Sequence, residues 1–222
     1  MKKILLIVTA ICIFSQVFSQ DYYAGPKIGF AGTSFFTSTP DNITPGFGGG
    51  FTGGGFFRIH NRYFFFQPEL EYKFGTGTLK YSDPQKTVQT INYSLISIPI
   101  LLGLKMPIDK KNANFLRVYG GGSGGFLFKN RNEQTPPVGS ANYVSASYGG
   151  RFEPFAWSWL VGAGLDIGDI MVDFKYDMIW NNIAPVYTEH GTTLRANSFV
   201  LSVSYRFKLD LQSSGHLGKS KK

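Results

Sequence analysis

The sequence predicts an all-β protein: an eight-stranded antiparallel transmembrane β-barrel with both termini periplasmic, preceded by a signal peptide. Three observations carry that expectation. Apolar and polar residues alternate with period two in run after run, which is the spacing of a strand with two chemically different faces. Most runs are roughly 10 to 15 residues long, whereas globular strands average about 5 to 6 and tilted membrane strands need about 9 to 11. The connections between runs alternate short and long along the chain, as they do when one end of a barrel carries turns and the other carries loops.

The leader comes first. Residues 1–20 (MKKILLIVTAICIFSQVFSQ) place two lysines before an apolar stretch from Ile4 to Phe14, with small residues near Ser19. That is the pattern of an export signal, with cleavage expected near Ser19 or Gln20. The stretch is too short for a spanning helix, which needs about 20 residues. The single cysteine, Cys12, lies inside it, so the mature chain is expected to hold no disulfide and no thiolate metal site.

Aromatic content of 16% argues against disorder, and the 27 glycines keep no triplet period. Between Asp21 and Phe207 the chain has 16 basic and 13 acidic residues. So near a balance, with no concentrated basic face, predicts no nucleic-acid partner.

Eight runs follow the leader: Tyr22–Phe35, Phe47–Ile59, Arg62–Phe74, Asn92–Met106, Phe115–Lys129, Trp157–Asp166, Asp169–Met178 and Ser198–Phe207. In the third, Phe64, Phe66, Pro68, Leu70, Tyr72 and Phe74 share one face and Gln67, Glu69, Glu71 and Lys73 the other. In the seventh, Ile170, Val172, Phe174, Tyr176 and Met178 oppose Asp173, Lys175 and Asp177. The last sets Phe199, Leu201, Val203, Tyr205 and Phe207 against Ser202, Ser204 and Arg206. Closure is required if these strands cross a membrane, because an open edge would leave unpaired N–H and C=O groups in hydrocarbon.

Short connections are expected at His60–Arg62, Pro107–Asn114 and Gly168–Asp169, and long ones at Thr37–Gly46, Gly75–Thr90, Asn130–Pro154 and Asn181–Leu194. The barrel domain is therefore bounded as residues 21–207, and residues 208–222 form a polar tail expected to be flexible and periplasmic. Trp157, Trp159, Trp180, Tyr22, Tyr63, Tyr176 and Tyr205 fall toward run ends, as interfacial girdles do.

Charges nearly vanish from the lipid face. The inward face carries Lys27, Arg58, Glu69, Glu71, Lys73, Arg117, Asp166, Asp173, Lys175, Asp177 and Arg206, six basic and five acidic. An eight-stranded interior is just wide enough for side chains to fill. The expectation is an internal ion network in which Glu69, Glu71, Asp173 and Asp177 meet Lys73, Lys175, Arg117 or Arg206, sealing the lumen. The glycine runs 46–55 and 120–125 lack a phosphate-loop pattern and are read as bends or close approaches of neighbouring strands.

A search for chemistry returns little. His60, His190 and His216 fall in separate regions, and no zinc-protease, paired-cysteine, hydrolase-elbow or calcium-loop spacing occurs. Glu69 and Glu71 share a face as a glycosidase pair would, but Lys73 beside them favours a structural network. Glu189, His190 and Ser198 are the candidate participants of an alternative reading, an outer-membrane enzyme acting on lipid or a secreted product. A small porin is the other alternative. No catalytic residue, cofactor or metal is assigned.

Taken in order, GPKIGF, QPELEYKFG, YSLISIPILLGLK, RVYGGGSGGF, WSWLVGAGLDIGD, VDFKYDMIWNNI and SVSYRF span Tyr22 to Phe207. This ordered set resembles the PorT-like outer-membrane β-barrel family of Bacteroidota. The match rests on Glu69, Leu70, Tyr72, Gly75, Ile98, Pro99, Leu101, Gly120, Gly121, Gly162, Gly164, Asp166, Asp173, Tyr176, Asn182, Tyr205 and Phe207. The resemblance implies an outer-membrane barrel and, for the family's namesake, a part in gliding motility and type IX secretion. Tyr205 and Phe207 also resemble an outer-membrane insertion signal read by the barrel assembly machinery, although here fifteen residues follow it. The implied partners are outer-membrane lipid, that machinery, and envelope or secretion-complex proteins.

Overall fold

The computed structural model describes residues 21–37, 43–81, 88–109, 114–135, 154–181 and 194–210. The leader, most of the polar tail, and Asn182, Glu189 and His190 lie outside the described residues.

Ten strands run in chain order: β1 (Asp21–Thr37), β2 (Ile43–Pro45), β3 (Phe47–His60), β4 (Phe64–Tyr81), β5 (Val88–Pro107), β6 (Asn114–Thr135), β7 (Phe155–Ile167), β8 (Ile170–Ile179), β9 (Leu194–Tyr205) and β10 (Phe207–Leu209). β2 and β3 both pair with β4, so they are one stave broken at Gly46. β9 and β10 pair with β1 in a single register and form another stave, interrupted at Arg206. Eight staves result, each antiparallel to the next. Pairing of β1 with β9, from Lys27↔Ser204 to Thr37↔Leu194, closes the ring.

Period two governs the staves, with a break in β5 where a register shift buries Tyr93, Ser94 and Leu95 in succession. β8 alternates strictly, with Asp173, Lys175 and Asp177 buried while Phe174 and Met178 are exposed. β4 buries Gln67, Glu69, Glu71 and Lys73 and exposes Phe64, Phe66, Leu70 and Tyr72. The outward apolar residues are well exposed, reaching 77% at Phe30, because none of the described residues covers them. Among the described residues no helix is long and apolar enough to cross a membrane; strands do that work here.

Trp157, Trp159 and Trp180 lie outward near the loop end, and Tyr63, Tyr205 and Phe207 outward near the turn end. Along β8, Ile170, which pairs with Tyr205, is ten residues from Trp180. That is about 33 Å of strand, or about 25 Å once tilted by about 40°, the height of an apolar membrane band.

The turn end is tight. Gly168, at φ +57°, forms the two-residue turn with Asp169 that Ile167↔Ile170 pairing requires. Asn61 Oδ1 accepts from the backbone N–H groups of Tyr63 and Phe64 at 2.9 and 2.8 Å, fixing the β3–β4 turn.

The opposite end departs from expectation. Residues 75–90 were expected as a loop, but β4 continues to Tyr81 and β5 begins at Val88; β6 likewise runs on to Thr135. Pairs such as Thr78↔Thr90 and Asn92↔Arg131 keep the ladder going. Polar and threonine-rich segments satisfy strand geometry as well as apolar ones once they have a partner, and amphipathic alternation is not needed outside the bilayer. Staves therefore reach 22 residues in β6, beyond the expected range. The widest intervals left between described strands are residues 136–154 and 180–193.

Glycine serves close approach. A Cβ at Gly48, Gly50 or Gly54 of β3 would sit 1.9 to 2.0 Å from a carbonyl oxygen of β4. A Cβ at Gly162 would lie 2.6 Å from the Tyr119 ring, so the space for that inward tyrosine is supplied by β7.

Leu201→Arg, on the outward face of β9, is expected to destabilise the folded protein in lipid by about 2 to 4 kcal/mol if it lies near the bilayer midplane. Urea unfolding in vesicles checks this; an unchanged midpoint would contradict a lipid-facing Leu201.

Candidate functional site

The chemically distinctive region is the barrel interior. Alternation directs one side chain in two inward, and the small circumference brings side chains of opposite staves within bonding distance. All eleven residues expected inside are there. Ten are 5% exposed or less, and the Arg206 side chain, near the turn end, is 11% exposed.

Two clusters form. Nearer the loops, Lys27 Nζ donates to Glu69 Oε2 at 2.8 Å and lies 3.6 Å from Glu71 Oε1. Lys175 Nζ donates to both Glu71 oxygens at 3.0 and 3.1 Å and lies 3.5 Å from Glu69. Lys73 pairs with Asp177. Gln67 bridges onward, its Nε2 donating to Glu69 Oε1 and its Oε1 accepting from Arg58 Nε, both at 2.5 Å.

Toward the turns, Asp166 is the hub of three arginines. Arg117 Nε lies 2.6 Å from its Oδ1, and Arg58 and Arg206 Nη1 donate to its Oδ2 at 3.1 and 3.2 Å. Arg117 Nη2 also lies 2.9 Å from Asp173. Fork-shaped guanidinium groups suit this sharing, since each presents several donors in one plane. Gly164 makes room for it: a Cβ there would be 2.3 Å from Asp173 Oδ1 and 2.7 Å from Arg117 Nη2.

The polar side is flanked by a small apolar cluster of Phe65, Leu101, Tyr119 and Leu160. Arg58 and Arg117 lie over the Phe65 ring at 5.0 and 5.8 Å, so each cation sits against aromatic surface while its N–H groups reach carboxylates.

The expected pairing is present, Glu69 and Glu71 with Lys175, Asp173 with Arg117 and Asp177 with Lys73, and the structure adds partners that were not expected. Glu69 is met by Lys27 and Lys175, and the greatest concentration of ion pairs falls on Asp166, which had no partner assigned. Side-chain parity reveals which face a residue takes; it does not reveal which residue lies across the lumen. Lys105 and Gln67 also belong to the interior, 5% and 2% exposed. The signal for Lys105 was its parity with Leu101 and against Leu102 and Leu104.

Ser198 is buried, and its hydroxyl lies 3.1 Å from Thr33 Oγ1, which itself lies 2.7 Å from the Tyr93 hydroxyl. Glu189 and His190 lie outside the described residues. Tyr205 and Phe207, the insertion-signal residues, are exposed on the outer face with ring centres 4.8 Å apart.

A closed barrel with an outward apolar band, aromatic girdles and an ion-filled interior is the architecture of a small outer-membrane protein. The family model for the outer membrane protein beta-barrel domain matches residues 14–183. The chain belongs to that family. Its fold is that of the outer membrane protein OprG from Pseudomonas aeruginosa, with a TM-score of 0.52 and 11% identity over 85% of this chain and 96% of that one. Neisserial surface protein A is also similar, with a TM-score of 0.44 and 11% identity over 85% of this chain and 99% of that one. For Ail of Yersinia pestis the values are 0.39 and 11%, over 83% and 98%. Comparison with curated proteins gives no match. This outer membrane β-barrel protein is therefore located in the outer membrane.

Asp166→Asn leaves three buried arginines short of charge and is expected to cost about 3 to 5 kcal/mol. Replacing both members of one pair, Lys73→Met with Asp177→Leu, is expected to be close to neutral because no ion is left unpartnered. Urea unfolding in detergent micelles distinguishes the two outcomes.

Proposed function

We propose that the protein is a non-enzymatic component of the cell envelope, a closed outer-membrane barrel that serves a structural or partner-binding role. One observation carries this reading: the Asp166 hub draws together arginines from β3, β6 and the β9–β10 break, and Arg58, Arg117 and Asp166 are each no more than 1% exposed. A lumen occupied at that level by mutually bonded ions suits a plug. Open aqueous channels go with wider walls, of about 16 to 18 strands.

Within the family we read the chain as a PorT-like barrel of Bacteroidota, with work linked to type IX secretion or gliding motility. Several positions that carry that resemblance are the ones that build the interior. Asp166 and Asp173 hold the arginines, and Gly162 and Gly164 give space to Tyr119, Asp173 and Arg117. The outward Tyr205 and Phe207 suit recognition by the barrel assembly machinery during insertion. Ser198, the one described member of the alternative enzyme constellation, has its hydroxyl committed to Thr33.

Reconstituted in planar bilayers, the protein is expected to give no sustained single-channel conductance; reproducible channel openings would contradict the plug. Crosslinked envelopes extracted in mild detergent are expected to yield the barrel with a small, reproducible set of secretion or motility proteins. A barrel that purifies alone, in cells whose secretion and gliding survive its deletion, overturns the secretion link.

A further inference from the structure

Charge is unevenly distributed along the barrel axis. In the cluster nearer the loops, Lys27, Lys73 and Lys175 meet Glu69, Glu71 and Asp177, three against three. Toward the turns, the buried Arg58 and Arg117 and the part-buried Arg206 share two buried carboxylates, Asp166 and Asp173, and Lys105 is a further buried cation in that half. The rim carboxylates do not restore the balance. Asp21 is half exposed and pairs with Lys208 at 2.9 Å, Asp109 accepts from Asn114 Nδ2 at 3.0 Å, and Asp169 is exposed and 3.9 Å from Arg206.

Register sharpens the imbalance at one residue. Lys105 of β5 is directly opposite Arg117 of β6, a like-charged cross-strand pair of the destabilising kind. Arg117 has two carboxylates, whereas Lys105 has none within ion-pair distance among the described residues. Its Nζ lies 2.5 Å from His60 Nδ1 and 4.5 Å from the centre of the Phe115 ring. His60 Nδ1 also lies 3.0 Å from the Asn61 carbonyl oxygen, and one nitrogen cannot accept from Lys105 and donate to Asn61 together. In either tautomer the ammonium keeps at least two N–H groups without an acceptor among the described residues, on a side chain 5% exposed. Arg58 Nη2, equally buried, has no hydrogen-bond partner among them either. Tyr23 ties the group together: its ring stacks on His60 at 5.1 Å and carries Arg206 at 5.1 Å.

We propose that the turn-end mouth of the barrel binds an anion of the phosphate class, with the Lys105 ammonium as its principal ligand and His60 and Arg206 beside it. The charge is the reason for phosphate. Three buried cations and the part-buried Arg206 face two buried carboxylates in this half, and a phosphate monoester brings close to two negative charges at neutral pH. Its oxygens accept from an ammonium and a guanidinium together, which a single chloride does less well. Inorganic phosphate and a lipid phosphomonoester headgroup offer the same chemistry at this position.

The test uses the full chain folded in a phosphate-free maltoside detergent. Equilibrium dialysis with labelled inorganic phosphate, in chloride buffer of fixed ionic strength, is expected to retain one phosphate per chain. Lys105→Met is expected to bind at least about tenfold more weakly, the loss of one charge-assisted contact, and Lys105→Arg to recover part of it. If Lys105→Met does not fold, Arg206→Gln gives the same comparison with a smaller loss. A melting temperature that rises in phosphatidic acid vesicles over phosphatidylcholine vesicles, with no phosphate retained in detergent, assigns the anion to a lipid headgroup. Retention no greater than the chloride control with no headgroup-dependent shift overturns the proposal, and so does undiminished binding in the folded Lys105 or Arg206 variants.

Discussion

Satisfying the backbone in hydrocarbon is the constraint on which the rest depends. Each unpaired N–H or C=O inside a bilayer costs several kcal/mol, so a strand can cross only if both its edges are bonded. The pairing of β1 with β9, eleven residue pairs long, removes the last two edges. Once the ring is closed at eight staves its circumference is set, and with it the interior width. Outer apolar residues, inner charges and the glycines between them are consequences of that closure.

A narrow lumen turns inward charge into a packing problem. Ionisable side chains projecting into water would need no particular arrangement; projecting into one another they must pair, and the eleven expected inside all do, whereas Lys105 has no carboxylate partner among the described residues. The interior does this in two ways. Lysines and carboxylates form compact contacts near the loops, and arginines seated over Phe65 and Tyr119 reach Asp166 near the turns. Glycines at 162 and 164 act as empty positions on β7 that make the second arrangement sterically possible.

Much of this was legible in the sequence, for a physical reason. Period-two alternation is a local property, so Phe174 against Lys175, or Leu70 against Glu71, declares a face without knowledge of any other strand. The turn at Gly168–Asp169 was legible for the same reason. What stayed hidden was non-local. Arg58 and Asp166 are 108 residues apart and on staves that do not touch, so their contact depends on stave tilt and register around the whole ring. The extensions of β4, β5 and β6 were hidden differently: outside the bilayer a strand needs only a partner, and Thr76, Thr78 and Thr90 carry no alternation to announce one.

Those extensions also change what kind of object the barrel is. β7, β8 and β9 are 13, 10 and 12 residues long, about enough to cross, whereas β4, β5 and β6 are 18, 20 and 22. Among the described residues the wall is therefore taller along β1–β6 than along β7–β9, with β4–β6 continuing upward as a paired sheet. An ordered sheet loses less conformational freedom on meeting a partner than a loop of equal length would. For the partner-binding role proposed above, that ordered and raised sheet is better suited than a lumen occupied by its own ions.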